Sequence, residues 1–267
     1  MKITLKRRRL SSSQIILLGF LGVIASGTIL LMLPWARAGA GSAPFLDALF
    51  TATSATCVTG LITNDTATYW SVFGQTVILC LIQVGGLGVI TVAIFITKLS
   101  GRKIGLMQRS TMQEAIAAPQ MGGIVRMTGF ILKMVVVIEA LGAAALLPAM
   151  IPEFGIVRGI WYAVFHSISS FCNAGFDLMG VKEPYSSLTS YTGDVAVNVI
   201  VMVLIVVGGI GFLTWDDVKR NRFHLRRYRM QSKVVLTVTA VLIVLPAVFF
   251  YWKEFGMPGW EDMSVGE

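Results

Sequence analysis

Residues 49–61 read LFTATSATCVTGL, and residues 164–176 read VFHSISSFCNAGF. Aligned without a gap, the two stretches share four residue types at matching places, namely Phe50/Phe165, Ser54/Ser169, Cys57/Cys172 and Gly60/Gly175. A second motif follows each stretch in the same order, as VGGLGVIT at residues 84–91 and VGGIGFLT at residues 207–214. Two such matches in one order are rare by chance in an apolar chain, so the sequence predicts an internal duplication.

The composition is that of a chain made for a lipid solvent. Of the 267 residues, 55% are hydrophobic and 13% are charged, and the mean hydropathy is +0.75. In a soluble domain, about a quarter of the residues are charged. Apolar runs of membrane-spanning length, roughly 17 to 25 residues, predict five transmembrane helices. They lie at residues 13–34, 72–97, 127–150, 194–214 and 234–252.

The basic residues behind the net charge of +8 lie mainly in the segments on one side of the predicted membrane. Lysines and arginines cluster before the first predicted span, between the second and third, and between the fourth and fifth. The positive-inside rule therefore places the N-terminus in the cytoplasm and both repeated stretches outside. Because the basic residues flank the spans, they argue against a nucleic-acid partner and favour contact with anionic membrane lipid.

Each repeated stretch lies in an outer segment that contains an apolar helix too short to span a membrane, at about 43–55 and 159–170. In the first of these half-helices, Ser42 is a candidate N-cap, Pro44 suits the first turn, and Asp47 suits the positive end of the helix dipole. A short apolar helix between two spans is best buried as a re-entrant element. The predicted unit is therefore span, half-helix, turn, span.

The predicted fold class is an all-α integral membrane protein with tandem parallel units of potassium-channel type, two complete and a third begun. The predicted boundaries are a cytoplasmic N-terminus at 1–12, the first unit at 13–97, a cytoplasmic linker at 98–126, the second unit at 127–214, a basic cytoplasmic loop at 215–233 and the first helix of the third unit at 234–267. Because no third half-helix or turn follows, we expect either a natural truncation or an incomplete sequence.

The residues after each half-helix suit a dehydrated cation. The C-terminal carbonyls of a helix that dips into the membrane direct about half a negative charge toward the bilayer centre. Residues 56–60 and 171–175 would then run outward as extended backbone, whose carbonyls can replace the hydration shell of an ion. Glycine is useful here because inward-pointing carbonyls need backbone angles that a Cβ disfavours.

These motifs resemble the Trk/Ktr/HKT superfamily of potassium transporters, whose filters are related to those of potassium channels. TCVTG at residues 56–60 is similar to the family's single-glycine filter, FCNAGF at 171–176 to its second filter, and QVGGLG at 83–88 to its first M2 helix. The chain most resembles the bacterial Ktr potassium-translocating membrane subunit. The resemblance covers essentially the whole chain.

The resemblance implies four parallel units around one pore, of which this chain holds two, with one filter strand from each unit. It also implies K+ as the ion held by the filter carbonyls, because Gly60 stands where a serine accompanies sodium preference in plant members. The filter residues that it implies are Thr56, Cys57, Val58, Thr59, Gly60, Phe171, Cys172, Asn173, Ala174 and Gly175.

The resemblance further implies the setting of the protein. It predicts a multi-pass protein of the bacterial plasma membrane, a homodimer, and a cytoplasmic ring of nucleotide-binding regulatory subunits that would contact the segments 98–126 and 219–233. No cofactor is expected in this chain, K+ is the substrate, and Na+ is a candidate coupling ion.

Polar residues near the turns and inside a span are further candidate functional residues. Asn64, Asp65 and Asp177 follow the turns closely, so they could form an outer vestibule that concentrates cations or could cap local loops. Glu139 lies inside the third predicted span, where a functional role is as open as a hydrogen-bonded structural role or a protonated state. His166 is expected to pack or to bond to backbone rather than to bind a ligand.

Two other patterns have simple interpretations. Cys57, Cys80 and Cys172 show no CxxC or metal spacing, which predicts reduced and buried thiols. The GGxG of residues 85–88 has spacing found in dinucleotide loops, but it follows no strand and lies in an apolar span. Small residues that let helices approach closely are the better explanation.

Residues and resemblance together predict potassium uptake through a filter of backbone carbonyls, with no enzymatic activity. A sodium or non-selective cation conductor is an alternative of the same class. A membrane protein that is inactive in transport and only structural is an alternative of another class.

Overall fold

The structure is a computed structural model that describes residues 11–99, 105, 110–111, 113–114, 124–222 and 224–254. Every regular element in these residues is a helix, which confirms the predicted all-helical class. Most of the predicted cytoplasmic linker and the tail after residue 254 lie outside the described residues. The α-helices are α1 Ser12–Leu31, α2 Phe45–Cys57, α3 Thr66–Tyr69, α4 Val72–Leu87, α5 Val89–Leu99, α6 Ile124–Phe154, α7 Ile156–Phe171, α8 Val195–Gly209, α9 Phe212–Asn221 and α10 Met230–Glu254.

The first half of the chain packs α1, α2 and α4 against one another. α1 begins with a capping box, in which Ser11 and Gln14 exchange side-chain to backbone hydrogen bonds of 3.0 and 3.3 Å. A Cβ on Gly27 would lie 2.7 Å from a methyl group of Leu81 on α4, so a glycine permits the close contact of these helices. The wholly buried apolar residues of this half include Leu31, Ala48, Ala52, Ile78 and Ile82.

The first half-helix, α2, starts slightly later than the sequence predicts. The residue before it is Pro44, which has a φ of −57° and makes no side-chain capping bond, so the predicted N-cap at Ser42 is wrong. Proline suits this place because a helix start has no partner for the missing N–H. Asp47 does lie in the first turn, as predicted.

The second and fourth predicted spans are each broken by a glycine, so their predicted continuity is wrong. Gly88 separates α4 from α5 with a φ of +80°, and Gly211 separates α8 from α9 with a φ of +83°. α8 and α9 meet at 95°. Residues with a Cβ rarely adopt a positive φ, so each break falls on a glycine.

Three described helices are long and apolar enough to cross a membrane, namely Ser12–Leu31, Met127–Phe154 and Met230–Lys253, and a fourth results if the bent α8–α9 pair counts as one span. Val72–Leu87 is a shorter apolar helix. The third and fifth predicted spans therefore appear as single helices that are longer than predicted.

In the second half, α6 and the half-helix α7 lie side by side. Gly155 alone separates them, and its φ of +78° allows α7 to fold back along α6. A Cβ on Gly159 would lie 2.8 Å from the Cα of Ile151, so the two helices pack backbone to backbone at this point. α7 begins at Ile156, earlier than the predicted start at residue 159.

Buried carboxylates tie α9 to the start of α10. Asp217 accepts hydrogen bonds from the Arg229 backbone N–H at 3.0 Å and from the Ser232 hydroxyl at 2.6 Å. Asp216 pairs with the Arg229 guanidinium at 3.1 Å. Because α9 continues to residue 221, the predicted basic loop at 215–233 starts as a helix.

Replacing Gly211 by alanine is expected to destabilise the protein. Its φ of +83° and ψ of 152° lie in a region that is essentially open to glycine alone. We expect a loss of about 1–3 kcal/mol in the free energy of unfolding, measured as a lower thermal midpoint of the purified protein in detergent.

The matched control is Gly22→Ala. Gly22 lies inside α1, and an added Cβ there would have nothing within 4 Å. Its thermal midpoint should stay unchanged or rise, because alanine favours a helix. A Gly211→Ala protein as stable as this control would contradict the strain assigned to the break.

Candidate functional site

The two half-helices end in the same backbone conformation. After α2, Val58 has a φ of 58°, and after α7 the matching residue Asn173 has a φ of 57°. Left-handed conformations are uncommon outside glycine, although asparagine tolerates them, and they are strained for a β-branched valine. The duplication seen in the letters of the sequence therefore extends to an unusual backbone angle.

Matching hydrogen bonds close the two turns. Thr59 donates its backbone N–H to the Ser54 carbonyl at 3.0 Å, and Ala174 donates to the Ser169 carbonyl at 2.8 Å. These bonds give both half-helices the left-handed C-terminal ending that is common in proteins. We call residues 56–60 the first glycine turn and residues 171–175 the second glycine turn.

The glycines of the two turns lie against each other. Gly60 has a φ of +75° and Gly175 a φ of +70°. A Cβ on Gly60 would lie 2.8 Å from the carbonyl oxygen of Ala174 and 3.2 Å from the Cα of Gly175. The structure thus brings together two groups of residues that the sequence separates by more than one hundred positions.

The repeated VGG motifs hold the half-helix ends. A Cβ on Gly85 of α4 would overlap the carbonyl oxygen of Thr56, and a Cβ on the matching Gly208 of α8 would overlap that of Phe171. Close helix packing is therefore confirmed as the role of these glycines. The dinucleotide interpretation gains no support, since the GGxG lies at the end of the helix α4.

Thr56 carries a buried oxygen without a partner. Its side chain is 1% exposed, and its Oγ1 has no hydrogen-bond partner among the described residues. The Thr59 hydroxyl, by contrast, donates to Ser54 Oγ at 2.9 Å. An unpaired buried hydroxyl costs about 1–3 kcal/mol. Because it lies at the negative end of the α2 dipole, this oxygen suits a cation as its partner.

The predicted vestibule residues lie in different surroundings. Asp65 is buried and caps α3 by accepting hydrogen bonds from the backbone of Ala67 and Thr68, so the structure shows the capping alternative. Asn64 is exposed. Asp177 accepts a hydrogen bond from the Met179 backbone at 2.8 Å. A vestibule role for Asn64 and Asp177 stays a prediction.

A cavity of about 250 Å³ borders the second glycine turn. Its lining includes Asn173, Gly175, Asp177 and the half-helix residue His166.

The His166 ring is bonded to backbone on both sides, with Nδ1 2.7 Å from the Tyr162 carbonyl and Nε2 accepting from the Leu178 N–H at 3.3 Å. The prediction of a backbone-bonded histidine is confirmed.

Glu139 takes part in a hydrogen-bonded network inside the helical core. It is 7% exposed, and both carboxylate oxygens accept from the Gln83 amide, at 2.9 and 3.1 Å. The structure thus shows that Glu139 is hydrogen-bonded, and a functional role of this carboxylate stays a prediction. In the sequence Gln83 appeared only as the first residue of the QVGGLG motif, although a polar residue inside an apolar span next to a repeated motif is a usable indication of a role.

The predicted burial of all three thiols is wrong for two of them. Cys172 is buried, whereas Cys57 and Cys80 are exposed, and all three are free. Helical periodicity explains the difference for Cys80, which shares the exposed stripe of α4 with Phe73 and Thr76. Cys57 lies off the buried face of α2.

Comparison with known proteins identifies the family. The family model TrkH, described as a cation transport protein, matches residues 6–257. The chain belongs to the TrkH family. The curated relatives matched by this TrkH-family chain are named as uptake proteins or cation transporters, and the family and the apolar helices together indicate a multi-pass protein of the bacterial plasma membrane.

Several curated relatives cover nearly all of the TrkH-family chain. The potassium/sodium uptake protein NtpJ of Enterococcus hirae is 42% identical over 248 residues, 93% of this chain and 54% of the relative. The Ktr system potassium uptake protein B of Bacillus subtilis is 39% identical over 251 residues, 94% of this chain and 55% of the relative. That of Vibrio alginolyticus is 36% identical over 244 residues, 90% of this chain and 52% of the relative. The chain thus spans about half the length of the curated relatives it matches.

Replacing Gly208 by alanine is expected to disturb the second glycine turn, because the added Cβ would overlap the Phe171 carbonyl oxygen. Overpacking of this kind costs typically about 1–3 kcal/mol, so we expect cation uptake to fall by about tenfold. Uptake would be measured with the complete gene product in cells that lack their own potassium uptake systems.

The neighbouring Gly209→Ala is the matched control. A Cβ on Gly209 would lie 3.8 Å from the Asn173 side chain, which is an ordinary contact. Uptake should stay within about twofold of wild type in this variant. Equal losses in both variants would show that the packing of Gly208 against Phe171 has no special importance.

Proposed function

We propose that this chain supplies two strands of a potassium-selective filter in a cation uptake protein of the plasma membrane. The observation that carries the proposal is the contact of Gly60 with Ala174 and Gly175, where two matching turns meet at the ends of two apolar half-helices. Turns that meet in this way can present backbone carbonyls to a shared ion, and such carbonyls can replace the hydration shell of K+.

The architecture that we propose is a repeated unit of span, re-entrant half-helix, glycine turn and span. α2 has 13 residues and α7 has 16. At about 1.5 Å per residue, they are about 20 and 24 Å long, which is less than the ~30 Å of a hydrocarbon core. In this arrangement the N-terminus is cytoplasmic, the half-helices enter from outside, and the first and second units are the two that the sequence predicts.

The ion would be K+, held as substrate by the carbonyls of residues 57–60 and 172–175, because those of Thr56 and Phe171 are packed against Gly85 and Gly208. The unpaired Thr56 hydroxyl offers one more oxygen at the inner end of the first strand. Two strands cannot encircle an ion, so further strands are needed. The length that the curated relatives have beyond the matched half offers room for them.

The names of the relatives bear on the ion and on the partners. One is named a potassium/sodium uptake protein, which keeps sodium as the second candidate substrate or as a coupling ion. Others are named as parts of a Ktr system, which supports a cytoplasmic regulatory subunit as partner. A nucleotide-binding ring and a homodimer remain predictions from the resemblance.

The proposal is tested by cation uptake in a strain that lacks potassium uptake systems, together with Gly60→Ser. We expect the complete gene product to support growth at low K+, and the serine to weaken the preference for K+ over Na+ by about tenfold or more, because its Cβ would press on the Ala174 carbonyl. Sodium-only rescue would overturn the potassium assignment. Unchanged selectivity in Gly60→Ser would show that the first glycine turn does not select the ion.

Thr56→Val tests the unpaired hydroxyl. Valine keeps the shape but removes an oxygen that has no protein partner among the described residues. We therefore expect stability to be kept or raised while the KM for K+ rises by about threefold or more.

The matched control is Thr53→Val on the same half-helix. Its hydroxyl donates to the Leu49 carbonyl at 2.7 Å, so its loss should leave the KM for K+ unchanged. An unchanged KM in Thr56→Val would exclude this oxygen as an ion ligand.

A further inference from the structure

Gln83 connects three parts of the chain through one side chain. Its amide nitrogen donates to both carboxylate oxygens of Glu139 on α6, at 2.9 and 3.1 Å. Its amide oxygen lies 3.8 Å from the thiol of Cys172, which donates to it. Gln83 itself is on α4, so the bridge runs from the first half of the chain to the second glycine turn.

Cys172 is also packed tightly against α4, the helix that carries Gln83. A Cβ on Gly86, which is nearly one helical turn after Gln83, would lie 2.6 Å from Cys172 Sγ. On the other side, the carbonyl of Phe171 lies against Gly208 of α8. The start of the second glycine turn is therefore clamped between α4 and α8.

Glu139 also holds the half-helix that carries this turn. Its backbone carbonyl accepts a hydrogen bond from the Ser167 hydroxyl of α7 at 2.7 Å. A Cβ on Gly142 would lie 2.5 Å from Ser167 Oγ, so α6 and α7 are in close contact here. One residue of α6 thus anchors α7 through its backbone and α4 through its side chain.

The bridge is not part of the duplication. In the second VGG motif, Val206 occupies the place that Gln83 has in the first. The Cys57 thiol, which matches Cys172, is exposed. The second glycine turn is therefore held by a polar contact from the other unit that the first turn lacks in the part of the chain that the structure describes.

We propose that Gln83 and Glu139 are a positioning pair, which holds the second glycine turn against the first and so sets how well the protein distinguishes K+ from Na+. This inference rests on the proposed function. Neither side chain touches the ion in this role. They act through Cys172, because a shift of its backbone moves the neighbouring carbonyls that would bind the ion.

The test replaces both members, Gln83→Leu with Glu139→Leu, in the complete gene product. Removing both partners leaves neither of them buried and unpaired, so the protein should reach the membrane in nearly normal amount. We expect the KM for K+ to rise, and the preference for K+ over Na+ to fall, by about threefold or more, the size expected for losing one hydrogen bond. A double variant that keeps the wild-type KM and preference would overturn the inference.

Glu139→Gln separates positioning from a direct action of charge. The amide keeps an oxygen that can accept from Gln83, so the KM for K+ should stay within about twofold of wild type. If this variant is as impaired as the double leucine variant, the carboxylate acts on the ion through its charge, and the positioning role is wrong.

Gln75→Leu is the matched control. Gln75 lies on the same helix eight residues earlier and accepts a hydrogen bond from Trp161 Nε1 of α7 at 2.8 Å. It also links the two halves, but its hydrogen-bond partners, Ala67, Trp70 and Trp161, all lie outside the second glycine turn. We expect lower thermal stability and an unchanged preference for K+. An equal loss of preference would mean that any loosening between the halves has this effect, which would overturn the specific role of Gln83.

The same measurements keep this inference apart from the proposed function. If the wild-type protein takes up no cation, the proposed function fails. If the wild-type protein prefers K+ and the double leucine variant prefers it equally, only the positioning pair fails.

Discussion

The ends of both half-helices depend on backbone contacts that only a missing side chain permits. Gly85 faces the carbonyl of Thr56, and Gly208 faces that of Phe171, each at a separation that leaves no room for a Cβ. A larger residue would push α4 or α8 away from the half-helix of its own unit. The two glycine turns, which begin with Thr56 and Phe171, would then lose the support that brings Gly60 against Gly175.

The two glycine turns have similar backbone conformations but different supporting contacts. Val58 and Asn173 have nearly the same left-handed φ although their side chains have little in common, so the surroundings impose the angle. Among the described residues, the polar contact at Gln83 has no counterpart at the first glycine turn, because the match of Gln83 in the second unit is Val206. After a duplication, the backbone of a turn can thus be kept while its supports diverge.

The sequence predicted the helices well and their ends and breaks less well. Apolar runs of spanning length indicate a helix whatever surrounds it, which is why α1, α6 and α10 were predicted. Local propensity favoured Ser42 as an N-cap, but the helix begins after Pro44, since proline already suits a helix start. Gly88 was predicted to serve close packing and Gly211 was given no role of its own, whereas the positive φ of each breaks a span.

By itself, the sequence determined the class of the protein, the duplication, and the two turns that end in Gly60 and Gly175. Hydropathy, charge and internal repeats can be recognised from the order of the residues alone. Only the tertiary structure decided what these turns touch. Contacts such as that of Gly60 with Ala174, or the bridge from Glu139 through Gln83 to Cys172, join residues far apart in the chain. Such pairs leave no periodic trace in a single sequence, since they depend on how the helices cross and how closely their backbones approach.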